Sequence, residues 1–155
     1  MKKNILIIDD DQTVLKTFAG TLELEGYNVT TAESGREAIE KSNSQFFNLA
    51  LIDIRLPDME GTELLTKMKE TIPKMIKLIV TGYPALANAK EAINKGADGY
   101  IVKPVNMNKL LETIKEHLKK QQEATKYSEE RVKEFIETRA EEHESRTALK
   151  GKQKK

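Results

Sequence analysis

The chain has 155 residues, 26 Lys+Arg against 25 Asp+Glu, and no cysteine. That length holds one ordinary domain plus an appendage. A net charge of +1 argues against a nucleic-acid binder driven by basic excess. The lack of cysteine excludes disulfides, thiolate metal sites and thiol nucleophiles, and fits a reducing compartment.

Four apolar residues follow Lys2-Lys3-Asn4 before Asp9, too short a run for a signal-peptide core. No apolar run approaches the roughly 20 residues of a membrane span. The expectation is a soluble, cytoplasmic protein without membrane contact.

Five short apolar runs alternate with helix-period segments. They are Ile5-Leu6-Ile7-Ile8, Tyr27-Asn28-Val29-Thr30, Leu49-Ala50-Leu51-Ile52, Ile76-Lys77-Leu78-Ile79-Val80 and Gly99-Tyr100-Ile101-Val102. Three are nearly continuous hydrophobics, as strands covered on both faces require. Gly26 follows Leu22-Glu23-Leu24-Glu25 where a helix needs a left-handed residue at its end. Ser34-Gly35-Arg36-Glu37 has capping-box spacing, and Pro73 is expected to end the helix begun near Thr62. Pro84 is placed to open the next helix and Gly96 to close it. Asn106 caps the fifth helix, with Leu110, Leu111, Ile114 and Leu118 toward the sheet. This is an α/β chain with a doubly wound, five-stranded parallel sheet.

The composition changes near residue 120. Residues 120–155 carry 10 Lys+Arg and 8 Asp+Glu, while Val132, Ile136 and Leu149 are the only large aliphatics left. The expected organisation is a globular domain over 1–120 and a charged helical or disordered tail over 121–155. No sustained heptads support a coiled coil. The five basic and no acidic side chains of Arg146–Lys155 lack aromatics or a scaffold, so nucleic acid is not the expected partner.

In an open parallel sheet, ligands bind beyond the carboxyl ends of the strands. After the first run come Asp9-Asp10-Asp11, after the third Asp53, after the fourth Thr81, and after the fifth Lys103-Pro104. With strand order 2-1-3-4-5 these ends line one rim. Clustered carboxylates repel in a partly desolvated cleft, and an oxygen-only set suits Mg²⁺. Lys103 and the Thr81 hydroxyl would face an anionic group from the other side, as phosphoryl transfer to a carboxylate requires.

The motifs Ile7-Ile8-Asp9-Asp10-Asp11, Asp53-Ile54-Arg55-Leu56-Pro57-Asp58-Met59-Glu60-Gly61, Val80-Thr81-Gly82-Tyr83 and Gly96-Ala97-Asp98-Gly99-Tyr100-Ile101-Val102-Lys103-Pro104 together resemble the receiver domains of two-component response regulators. The resemblance covers about residues 3–120. It implies a flavodoxin-like sheet and a CheY-like single-domain regulator without enzymatic turnover beyond self-phosphotransfer and slow autodephosphorylation. It implies Asp53 as the phosphoacceptor, Mg²⁺ held by Asp10, Asp53 and the Arg55 carbonyl with Asp9 direct or through water, and Lys103 on the phosphoryl oxygens before a cis proline. Thr81 and Tyr100 become the switch pair, and Arg55 and Tyr83 the side chains that shield the acyl phosphate from water. The implied partners are a histidine kinase or phosphotransfer protein, and a downstream protein meeting helix four, strand five and helix five or the tail. A homodimer is left open.

Val105 stands where this family usually has Phe, and Glu60 where Asp is commoner. Individually the residues have plainer readings: Asp9 to Asp11, and Asp11 above all, as helix caps, Thr81 as a strand-end hydroxyl, Lys103 as a solvated lysine, Tyr100 as core. A rival enzyme reading takes Asp9-Asp10-Asp11-Gln12-Thr13 as the D-x-D-x-T signature that resembles haloacid-dehalogenase-like phosphatases, with Asp9 as nucleophile and Asp11 as acid/base. It leaves the Asp53–Gly61 motif unexplained. A phosphorylation-independent pseudo-receiver is disfavoured by the complete set of Asp9, Asp10, Asp53, Thr81 and Lys103.

Overall fold

A computed structural model of the chain describes residues 2–82 and 85–153, with side-chain surroundings left undescribed at 86, 87 and beyond 138. The element order is β1 (Asn4–Ile8), α1 (Gln12–Leu24), β2 (Asn28–Ala32), α2 (Gly35–Ser44), β3 (Leu49–Ile52), α3 (Gly61–Lys67), β4 (Ile76–Thr81), α4 (Leu86–Asn94), β5 (Gly99–Val102) and α5 (Met107–Gln153). All strand pairs are parallel, in the order β2-β1-β3-β4-β5. The fold expected from the alternating runs is the one observed.

The period of two along each strand divides the core. Ile5, Ile7, Leu49, Leu51, Leu78 and Val80 pack with Leu15, Phe18 and Leu22 of α1 and Leu110, Ile114 and Leu118 of α5. Leu6, Ile8, Ala50, Ile52 and Ile79 face the other way, onto Ala38 of α2, Leu64 and Leu65 of α3 and Ala92 of α4. Each fully buried Leu or Ile contributes about 1.5–3 kcal/mol. Both sheet faces are therefore covered.

Two helices end as the glycines foretold. Gly26 (φ +93°) donates to Glu23 O while Tyr27 donates to Leu22 O; Gly96 (φ +101°) donates to Ile93 O while Ala97 donates to Ala92 O. Both are Schellman turns.

Helix α3 departs from expectation. It stops at Lys67, well before Pro73, with Met68 buried in extended conformation (φ −75°, ψ 144°). The buried Lys77 ammonium of β4 donates to the Leu65 carbonyl at 2.7 Å, satisfying an acceptor in the last turn. A tertiary contact, not the proline, sets the end. The role expected for Pro84 lies outside the described residues.

The chain divides into two compact units, Met1–Leu118 and Lys119–Lys155. In the second, Tyr127, Val132, Phe135 and Ile136 are exposed on a helix, and the Arg131 guanidinium lies over the Tyr127 ring at 5.9 Å from its centroid. Among the described residues, no helix is long and apolar enough to cross a membrane.

Candidate functional site

Strand register builds the site. Ile8 of β1 is level with Ile52 of β3, so the next residues, Asp9 and Asp53, leave the sheet side by side. The Asp53 amide donates to Ile8 O at 2.9 Å and the Asp9 amide to Ala32 O at 3.1 Å, fixing both backbones. On the next two strands, β4 and β5, Thr81 is level with Val102, and the Lys103 amide donates to Thr81 O at 2.8 Å. The polar residues after β1, β3 and β5 thus share one rim.

Asp9, Asp10 and Asp53 each offer a carboxylate oxygen within 4.8 Å of the others; Asp9 and Asp53 are buried and Asp10 is exposed. Asp9 Oδ1 accepts from the Asp11 amide at 2.9 Å. Asp9 Oδ2 accepts from Lys103 Nζ at 2.8 Å, and the same ammonium is 3.8 Å from Asp53 Oδ2. Lys103 precedes Pro104 through a cis peptide bond.

Desolvation, then the negative charge of Asp9, pushes the Asp53 pKa up to about 6, against the pull of Lys103 and of the Arg55 and Ile54 amides. For Lys103, desolvation acts downward but is outweighed by the Asp9 hydrogen bond and the charges of Asp53, Asp9 and Asp11, which raise its pKa. Asp53 Oδ1 is buried with no hydrogen-bond partner. A buried, unpaired carboxylate oxygen beside two further carboxylates, with no nitrogen or sulfur donor in the set, fits a hard divalent cation.

The other expected residues are distributed around this centre. Thr81 is fully buried at the end of β4. Tyr100 of β5 packs against the α2–α4 core with its hydroxyl enclosed beside the Ala85 backbone, and burial raises its pKa. The Arg55 side chain is exposed, and its backbone pairs in a bridge with Glu60. Tyr83 lies outside the described residues. Asp11 is the N-cap of α1, accepting from Thr13 N at 2.9 Å and Val14 N at 3.3 Å, which is the plainer role foreseen for it. Val105 is half-buried against the α1/α5 face of the core, so the smaller side chain is packed there.

Sequence reasoning missed two polar residues. Lys77 interrupts an apolar strand to reach α3, and Asp58 accepts from the Gly35 and Arg36 amides at 2.9 and 2.8 Å. Neither partnership has a local signal, because the contacts span 12 and more than 20 residues.

The family model for the response regulator receiver domain matches residues 5–115. The chain belongs to that family. A CheY-like receiver domain protein from Methanospirillum hungatei is 51% identical with a TM-score of 0.77, over 80% of this chain and 99% of that one. A Burkholderia pseudomallei response regulator, solved with a phosphorylated aspartic acid, calcium ion and citrate, is 32% identical with a TM-score of 0.65, over 71% of this chain and 65% of that one. The transcriptional regulatory protein ZraR of Escherichia coli is 36% identical over 74% of this chain and 26% of its own length. The chain spans about a quarter of the length of the curated relatives it matches. Within the family the receiver is a signalling module of two-component systems.

Proposed function

We propose that this receiver takes a phosphoryl group onto Asp53 from a histidine kinase or a phosphotransfer protein and signals through the contact surface that this event alters. The observation that carries the reading is the buried Asp53 carboxylate, one oxygen unpaired, held between Asp9, Asp10 and the Lys103 ammonium.

A carboxylate oxygen of Asp53 attacks phosphorus, the bond from phosphorus to the donor nitrogen or oxygen breaks, and the leaving group departs with that electron pair. Lys103 sits to accept contact from phosphoryl oxygens as they approach, exchanging its carboxylate partners for them. Asp9, Asp10, Asp53 and the Arg55 carbonyl are the groups that would hold Mg²⁺. Bound there, the ion supplies positive charge for the transferring group and relieves the repulsion among the carboxylates.

Thr81 and Tyr100 form the switch in this reading: Thr81 moves toward the phosphoryl oxygens, and the Tyr100 ring takes the space behind it. Phosphorylation favours that arrangement by the difference in contacts, which is a population shift. The α4–β5–α5 face is the surface changed, and a downstream protein or a second copy of the chain is its partner. No turnover of an external substrate belongs to this reading. A cytoplasmic location goes with this reading.

The test is intact mass after incubation with acetyl phosphate and Mg²⁺, with Asp53→Asn and a metal-free sample alongside. The expected result is one Mg²⁺-dependent phosphoryl adduct that Asp53→Asn abolishes. An adduct that survives Asp53→Asn but is lost in Asp9→Asn would transfer the nucleophile to Asp9. Absence of any adduct on folded protein with either acetyl phosphate or a phosphorylated histidine donor would reject the acceptor role.

A further inference from the structure

The segment joining β3 to α3 folds back on itself. Arg55 bridges Glu60, Leu56 N donates to Met59 O at 3.2 Å, and Gly61 N donates to Ile54 O at 2.6 Å. Its base is rigid because Gly61 lies against the Asp53 carbonyl: a Cβ there would stand 2.2 Å from that oxygen. Its tip, Pro57–Met59, is tied back to Leu56 by the Met59 carbonyl and is held from outside the loop by α2.

The first turn of α2 has amides to satisfy, and they go to two different sources. Locally, Ser34 Oγ accepts from Glu37 N at 3.1 Å, Ser34 O accepts from Ala38 N, and Glu37 Oε2 accepts from Glu33 N at 2.9 Å. The Gly35 and Arg36 amides instead point at the tip of the loop, one to each oxygen of Asp58. The adjacent Met59 side chain fills the space a Cβ on residue 35 would occupy, its Sδ only 2.4 Å from that position. Carboxylate on amides and thioether on glycine make a two-part latch.

We infer that Asp58 is a positioning residue for the acceptor: its seat on the first two amides of α2 holds in place the β3–α3 loop, which begins at Ile54 directly after Asp53. The inference rests on the acceptor role proposed for Asp53. The hydrogen bonds of the Asp58 carboxylate go to α2, not to the acceptor cluster. Asp58 acts through the loop, which is pinned at Gly61 and would otherwise pivot about its base. The carboxylate and Arg36 are exposed, so loss of the carboxylate opens the Arg36 amide to water and leaves the fold intact, while Gly35 stays beneath the Met59 side chain. Consistent with the seat, desolvation raises the Asp58 pKa but the Arg36 and Gly35 amides, with Asp58's own amide and the Arg36 charge, together hold it below the usual carboxyl value.

The test uses Asp58→Ala and Asp58→Asn in the full chain. The first readout, amide hydrogen exchange without Mg²⁺, needs no phosphorylation. Exchange at Leu56, whose amide bonds to Met59 O next to Asp58, is expected to rise about tenfold in Asp58→Ala, with the Gly61, β1 and β3 amides unchanged. In Asp58→Asn, which keeps one oxygen to accept, the rise is smaller. The second readout is the rate of Asp53 phosphorylation by acetyl phosphate at saturating donor. It is expected to fall about tenfold in Asp58→Ala with the KM for donor little changed, and to recover partly in Asp58→Asn. Unchanged exchange in the loop, or an equal rise in β1 and β3, overturns the latch. Loosened loop amides with a wild-type phosphorylation rate overturn its positioning role. A wild-type protein that takes no phosphoryl group rejects the acceptor reading, while loop exchange still decides the latch.

Discussion

The Lys103 ammonium meets Asp9 Oδ2 at 2.8 Å across 94 residues of sequence, and lies 3.8 Å from Asp53 Oδ2. One cation thus serves two buried carboxylates, and its removal leaves them facing each other. Lys103→Met is expected to lower unfolding free energy by about 1–3 kcal/mol in metal-free buffer. Added Mg²⁺ should shrink that loss, because the ion replaces the missing charge. Phosphorylation of Asp53 should nevertheless fall at least about tenfold, since the ammonium is placed to meet phosphoryl oxygens. Urea titrations with and without Mg²⁺, beside intact mass, check both halves. Equal stability losses in the two buffers would remove the compensation argument.

The Asp53 carboxyl gives a pH dependence with a definite sign. Its folded pKa of about 6 lies above the ordinary 3.8, so between those values the folded chain binds more protons than the unfolded one. Asp53 therefore weakens the fold as pH rises from about 4 through 6, and the full penalty stands above 6. A two-unit shift corresponds to about 3 kcal/mol, reduced to roughly 1–2 kcal/mol because solvent reaches the site. Asp53→Asn should raise stability by that amount at pH 7.5 without Mg²⁺, and by nothing near pH 4. Denaturant midpoints at the two pH values measure it, and a difference independent of pH would contradict the shift.

The sheet and the rim were legible because strand ends and chemistry coincide in the sequence. The residue after each apolar run of β1, β3, β4 and β5 is the one expected to act, and parallel register does the rest. Gly26 and Gly96 marked helix ends because positive φ has a residue preference. What escaped was set by tertiary partners. The end of α3 depends on Lys77 reaching Leu65 from another element, and the Asp58 seat depends on two amides more than 20 residues away. Propensity carries no information on either contact.

Arg55 is exposed two residues after the acceptor, with its backbone held in the bridge to Glu60. Because the backbone is pinned by main-chain pairing, truncation removes the side chain without releasing the loop. Arg55→Ala should therefore shorten the half-life of phosphorylated Asp53 by admitting water, while leaving denaturant stability within about 0.5 kcal/mol of the parent. Decay of the phosphoryl adduct followed by mass resolves the two rates. An unchanged half-life would show that this side chain does not shield the acyl phosphate.

Two glycines predict opposite responses to the same substitution. At Gly61 an added Cβ would lie 2.2 Å from the Asp53 carbonyl oxygen and 3.0 Å from the Ile54 Cα, both backbone atoms that cannot rotate away. At Gly20, inside α1, nothing lies within 4 Å of the added carbon. Gly61→Ala should cost about 1–3 kcal/mol by forcing the acceptor loop off its base. Gly20→Ala should gain about 0.5–1 kcal/mol, as alanine does over glycine in a helix interior. Phosphorylation should slow in the first variant and not in the second, because only Gly61 abuts the residue that bears the acceptor. Denaturant midpoints together with adduct formation separate the outcomes. A Gly61→Ala protein with parental stability and rate would mean that the close approach to Asp53 is not required.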